Sequence, residues 1–243
     1  NFNNYLKNMK QKKLLIIAAT HGDEKIGVEV AKQLKLRKKE IFFDLLVANP
    51  EALRLKKRFI DKDLNRVYPG KKYSRFYEKR LAYKNLLVAK NYRYVIDIHE
   101  ASQGRDDFVI VPKEKLPKKF PLEYINLNKV LLWPDPKGSI SQKLNNSIEL
   151  EFGTKNRNRR EVVKKATDIV DRFIVDINSK KIVRKLKRTF YVYDYLEKNE
   201  LKGNQVKLVD FREVIINREK FLPLLVNQYI NNGIVCYKMK SLN

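Results

Sequence analysis

The sequence predicts an α/β fold: a mixed, largely parallel sheet sandwiched by helices, with a small β-rich domain at the C-terminal end. Three observations predict it. Short apolar runs rich in Ile, Leu and Val alternate with stretches of helical spacing through residues 9–178, the pattern of strands buried on both faces beneath covering helices. After about Ser179 the texture changes to short segments rich in aromatic and β-branched residues, some parted by turn signals. No stretch nears the roughly 18 consecutive apolar residues that a membrane helix needs.

The strands are expected at Lys13 to Ala19, Phe42 to Ala48, Tyr94 to Ile98, Phe108 to Val111, Lys129 to Trp133 and Ser147 to Phe152. Helices are expected over Ile26 to Leu36, near Tyr73 to Lys90, and from Arg160 to Ile177, where apolar residues recur every three or four positions. In residues 179–243 the expected strands are Thr189 to Tyr195, Gln205 to Val209, Val214 to Asn217 and Ile234 to Lys238. Turn signals stand at Lys202-Gly203-Asn204 and Asn231-Asn232-Gly233. Residues 1–8 precede the first patterned segment and read as an extension outside the fold.

With 43% hydrophobic and 33% charged residues, and only 8 Gly and 8 Pro, the composition is that of a globular protein without long linkers. The first apolar run ends in Thr20-His21-Gly22-Asp23, which is unlike a signal peptide, so the expected compartment is the cytoplasm and no membrane partner is expected. The single cysteine, Cys236, reads as a small buried apolar side chain. A net charge of +25 would attract anions, but the cations are spread along the whole chain. No aromatic-interleaved basic stripe appears, so nucleic acid is not the expected partner. A homo-oligomer is left open.

In an open α/β sheet, ligands bind beyond the carboxyl ends of the strands. The polar residues there are His21, Glu24, Asn49, His99, Glu100 and Glu151. The chain has only two histidines, and each follows a predicted buried strand. Two His and one Glu suit a catalytic zinc with an open position, and the spacing of three between His21 and Glu24 lets both point at one spot. His21, Glu24 and His99 are therefore the expected metal ligands. Between Arg58 and Arg66, paired guanidiniums with Asn65 would suit a substrate carboxylate or a developing oxyanion; a solvated charged loop fits the same residues.

Five segments, in order, resemble those of the succinylglutamate desuccinylase and aspartoacylase family, a branch of the zinc carboxypeptidase clan. Thr20-His21-Gly22-Asp23-Glu24-Lys25-Ile26-Gly27 is similar to its THGNE-x-x-G opening, and Asn49-Pro50-Glu51-Ala52 to its NP-x-A turn. Arg58 to Arg66 resembles R-x-x-D-x-DLNR, Asp97-Ile98-His99 its DLH, and Glu151-Phe152-Gly153 its EVG. Asp23, Glu100 and Phe152-Gly153-Thr154 depart from the usual residues without touching a ligand or the base.

The resemblance implies a zinc carboxypeptidase-like domain over residues 9–178 holding one Zn2+ per chain, with residues 179–243 helping to wall the site. It implies Glu151 as the general base, with Glu149 its competitor on the same strand face. Arg58 would stabilise the oxyanion, Asp63 would orient a metal-bound imidazole, and Asn65 and Arg66 would hold the substrate carboxylate. Lys137 and Tyr229 are further expected substrate contacts. The implied reaction is hydrolysis of the amide of a small anionic N-acyl amino acid; a peptide-cutting carboxypeptidase would use the same clamp, and a basic nucleic-acid-binding protein with a vestigial metal site is the remote alternative.

Overall fold

A computed structural model describes residues 12–37, 43–135, 137–179, 187–201 and 206–243. Residues 1–8 and the turn expected at Lys202-Gly203-Asn204 lie outside them.

In chain order the main elements are β1 (Lys12–Ala18), α1 (Ile26–Arg37), β2 (Phe43–Val47), α2 (Pro50–Leu55), α3 (Tyr77–Ala89), β3 (Tyr92–Ala101), β4 (Asp107–Val111), β5 (Lys129–Leu132), β6 (Ser147–Gly153) and α4 (Arg159–Ser179). Then follow β7 (Arg188–Glu197), β8 (Val214–Ile216), β9 (Glu219–Leu224) and β10 (Ile234–Ser241). The ten strands form one sheet in the order β2-β1-β3-β6-β4-β5-β7-β10-β9-β8. β2, β1, β3 and β6 run parallel; β4 is antiparallel to β6 and parallel to β5. The mixed, largely parallel character predicted for the first domain is what the structure shows, with a strand-rich C-terminal region after it.

Alternation along β1 explains the continuous apolar run. Leu14 and Ile16 face one core with α1 and α4, whereas Leu15 and Ile17 face a second core with α3, so both sides of the strand must be apolar. On the first side, α4 buries Val162, Ala166, Val170 and Phe173, a stripe at helical spacing. Phe173 stacks on Phe120 at 5.3 Å between ring centroids, and burying such a side chain contributes roughly 1.5–3 kcal/mol.

A third core binds the C-terminal strands to the rest: Phe108, Leu131 and Trp133 pack with Phe190, Leu224 and Met239. β5 pairs with β7 in parallel, from Lys129↔Arg188 to Leu132↔Tyr191. The strand-rich region is thus a continuation of the same sheet. Cys236 is buried and free, as expected.

Two predicted strands differ, and one strand is additional. The strand expected at Gln205 to Val209 is irregular from residue 206 on, where no strand partners it. β9 is additional to the expected strands and contains Pro223, which pairs with Lys238 on one side and lies past the last β8 partner, Phe221, on the other, where no N–H is required. β3 runs on through His99 to Ala101, since β6 supplies partners as far as Gly153. Among the described residues, no helix is long and apolar enough to cross a membrane.

Candidate metal centre and substrate cleft

The period of two that sorts apolar residues between the cores also builds the site. Asp97 and His99 on β3 stand in register with Glu149 and Glu151 on β6, so all four side chains project to the α3 side of the sheet. There the second core gives way to polar groups at the carboxyl ends of the strands.

β1 ends at Ala18, and the turn that follows carries His21. Gly22 lies so close to α2 that a Cβ would stand 2.1 Å from the Ala52 carbonyl carbon, and its N–H donates to the Arg58 carbonyl at 3.1 Å. The turn closes with the Glu24 N–H donating to the His21 carbonyl at 3.1 Å, which brings the two side chains together. The Glu24 carboxylate then meets His21 Nδ1 at 2.6 Å through one oxygen and His99 Nδ1 at 3.0 Å through the other. The backbone N–H of Glu100 also donates to it, at 3.2 Å.

His21, Glu24 and His99 are all buried, and one ligand atom from each lies within 4.8 Å of the others. The outer nitrogen of each ring faces an aspartate: His21 Nε2 is 3.1 Å from Asp63 Oδ1, and His99 Nε2 is 3.2 Å from Asp97 Oδ2. Carboxylates behind imidazoles favour the tautomer that leaves Nδ1 free to ligate; the His21–Asp63 contact is a hydrogen bond, whereas His99 Nε2 lies beside Asp97 without hydrogen-bond geometry. Arg58 Nη2 also stands 2.9 Å from His21 Nε2. Both are donors in that tautomer, so Asp63 is the hydrogen-bond partner. Arg58 also donates to Asp63 Oδ2 at 3.2 Å and to Glu24 Oε1 at 3.4 Å.

The electrostatics follow from burial and these contacts. Burial alone would lower the pKa of both histidines, but the carboxylates outweigh it and raise them, Glu24 leading for His21 and Asp97 for His99. For Glu24 and Asp63, burial works upward and is overcome, for Asp63 by His21 and Arg58, so both carboxyls are held low. Glu151 goes the other way: burial, and then the charge of Glu24, push it from the usual 4.5 up to about 8. Burial also raises Glu149.

A cleft of about 590 Å³, open mouth included, lies over this cluster. Glu149, Glu151, Asn65 and Arg66 line it beside the histidines, and Tyr229 and Gln228 reach it from the C-terminal region. The Tyr229 ring lies 5.8 Å from the Arg58 guanidinium. Asn65 Oδ1 and Glu149 Oε1 are buried without a hydrogen-bond partner in the protein. Lys137 is exposed and is not among the residues lining the cleft. Glu100 directs its carboxylate away, to Arg159 Nη1 at 2.9 Å and Thr154 Oγ1 at 3.3 Å.

Sequence reasoning missed two supporting residues. Asp97 backs His99 and is itself held by the Thr20 hydroxyl, which donates to both its oxygens at 3.0 and 2.9 Å; the Asp-x-His spacing on one strand face was the available signal. Glu78, fully buried on α3, accepts the backbone N–H groups of Ile60, Asp61 and Lys62 and the side-chain amide of Asn49. It therefore shapes the loop that presents Arg58 and Asp63.

Residues 10–177 match the family model described as "Succinylglutamate desuccinylase/Aspartoacylase catalytic domain". The chain is 28% identical over 115 residues to an N-acyl-aromatic-L-amino acid amidohydrolase (carboxylate-forming) of Xenopus laevis, covering 41% of this chain and 38% of that protein. It is 37% identical over 86 residues to a probable aspartoacylase of Prochlorococcus marinus, covering 34% of this chain and 28% of the relative. The matched stretches thus span well under half the length of these relatives. In fold, a crystal structure of a variant murine aminoacylase 3 superposes with a TM-score of 0.74 at 14% identity, over 96% of this chain and 95% of that one.

Proposed function

The chain belongs to the succinylglutamate desuccinylase and aspartoacylase family, and on that premise we propose that it is a zinc-dependent amidohydrolase of N-acyl amino acids. The observation that carries this reading is the convergence of His21 Nδ1, Glu24 and His99 Nδ1, each imidazole backed by an aspartate, at the floor of a cleft that also holds Glu151. Two histidines and a glutamate with an open side form a donor set that suits catalytic zinc. When bound, zinc would lower the pKa of water and polarise the scissile carbonyl.

The remaining roles belong to the protein. Glu151 takes the proton of the attacking water and delivers it to the departing nitrogen; a carboxyl pushed up to about 8 in the metal-free protein holds a proton readily. Arg58, fixed by Asp63 and Glu24, donates to the oxygen on which negative charge develops. Asn65 and Arg66 take the substrate's α-carboxylate. The unpartnered Asn65 Oδ1 and Glu149 Oε1 are open for polar atoms of the substrate. Tyr229 closes the wall over Arg58. Lys137, exposed, receives no role.

Metal analysis of the purified protein, with release of free amino acid from N-acetyl-aspartate, N-succinyl-glutamate, other N-acetyl amino acids and dipeptides, tests the proposal. Zinc near one per chain with turnover of N-acyl amino acids is expected; activity on peptides alone would overturn it. His99→Ala should lose the metal, whereas Glu151→Gln should keep it and lose turnover by several orders of magnitude.

A further inference from the structure

Beside the catalytic cleft lies a second groove of about 880 Å³, and Trp133 and Asp135 border both. Its origin is topological. β5 stays paired with β7 only as far as Leu132↔Tyr191; beyond that point the chain from Trp133 to Asp135 diverges from β7 and leaves a furrow. Its walls are aromatic: Trp133, Tyr191, Tyr193, Tyr195 and Tyr237. Its charges are all negative, from Glu114, Asp135 and Asp194. In a chain with 53 Lys and Arg against 28 Asp and Glu, a furrow with three carboxylates and no lining cation is contrary to the general trend.

Two of these acids are already engaged. Glu114 accepts the Tyr191 hydroxyl at 2.7 Å, and Asp194 lies 3.7 Å from the buried Lys238 ammonium. Asp135 has no such partner among the described residues. It stands at the shared rim, while Tyr193 and Tyr195 are 41% and 43% exposed. That the tyrosine faces accept a cation is illustrated next door, where Lys240 Nζ lies 5.7 Å from the Tyr191 ring centroid.

Gly138 packs directly on the Arg66 backbone, where a Cβ would stand 2.4 Å from the Arg66 carbonyl oxygen, and its own carbonyl accepts the Tyr68 N–H at 3.0 Å. The groove adjoins the cleft in which Arg66 would hold the amino-acid half of a substrate, since Trp133 and Asp135 border both.

We propose that this aromatic, acidic groove is a subsite for a cationic side chain on the amino-acid half, so that the preferred substrates are N-acyl derivatives of lysine-like diamino acids, with Asp135 as the specificity-determining residue. The proposal rests on the amidohydrolase reading for its catalytic arm but has a second readout that does not. Trp133 is the only tryptophan of the chain and borders both cavities, so its fluorescence reports occupancy directly.

In the catalytic arm, kcat/KM is compared for Nα-acetyl-lysine, Nα-acetyl-norleucine and Nα-acetyl-glutamate. A preference of about tenfold for the lysine over the norleucine derivative is expected from a carboxylate and aromatic faces acting together, and Asp135→Asn should bring the ratio toward one. In the binding arm, L-lysine should change Trp133 emission at about tenfold lower concentration than L-norleucine. Turnover without a lysine preference, with the ratio unmoved in Asp135→Asn, overturns the subsite and leaves the amidohydrolase standing. Lysine titrating Trp133 in a protein that releases amino acid neither from these compounds nor from the N-acyl amino acids named above supports the subsite and overturns the amidohydrolase. Equal response of Trp133 to lysine and norleucine overturns the subsite whatever the turnover.

Discussion

The buried carboxylate of Glu78 accepts the backbone N–H of Ile60 at 2.6 Å, and the next two N–H groups of the loop, from Asp61 and Lys62, converge on it at 3.0 Å each. A side chain on α3 thereby substitutes for secondary structure in a segment that has none, and sets where Arg58 and Asp63 emerge. Glu78→Gln turns one of the two acceptor atoms into a donor facing donors. We expect a loss of about 2–3 kcal/mol in denaturant unfolding and a fall in kcat/KM of about tenfold or more, with zinc retained, because the ligands come from the β1 turn and from β3. Unchanged stability and activity would show that the loop holds its shape without Glu78.

Asp97 tests the support of the second imidazole. In Asp97→Asn the acceptor facing His99 Nε2 becomes weaker, while the Thr20 hydroxyl keeps an oxygen to donate to. Metal affinity, read by competition with a coloured chelator, should fall by about 10- to 100-fold. A variant that holds zinc as tightly as the wild type would remove Asp97 from the metal centre.

Glu151 links the base to folding. With its carboxyl raised from 4.5 to about 8 by burial and by Glu24, the folded metal-free protein keeps a proton that the unfolded chain releases. Stability attributable to this group therefore falls as pH rises from about 4.5 toward 8, and the whole penalty is present above that. Glu151→Gln removes the titration. After chelation, the variant should match the wild type at the acid end of the window and be more stable at its alkaline end, by on the order of 2 kcal/mol. Parallel melting curves for the two proteins across the window would contradict this.

Legibility in the sequence followed the range of the interactions. β1, α1 and β6 could be read because their patterns are local: an apolar run buried on both faces, or a stripe at helical spacing. The donors His21 and Glu24 were legible through their spacing of three, and Glu149 and Glu151 through strand alternation. His99 was placed after a strand and lies within one, since the length of β3 is decided by its neighbour β6. Glu78 was not legible, because a glutamate on an amphipathic helix normally faces water; only the approach of the 60–62 loop makes its burial favourable. The aromatic and acidic furrow was equally hidden, as it exists where two paired strands part company.

The pairing of β5 with β7 has a consequence for the chain's solubility. A fragment ending near Ser179 would leave the β5 edge from Lys129 to Leu132 without its neighbour and uncover Leu131 and Trp133, which pack against Phe190 and Met239. A bare strand edge beside apolar side chains is a template for association with other copies. The segment that lends Tyr229 to the cleft is thus also what keeps the sheet from growing into its neighbours, and a shortened protein should precipitate before its loss of activity could be measured.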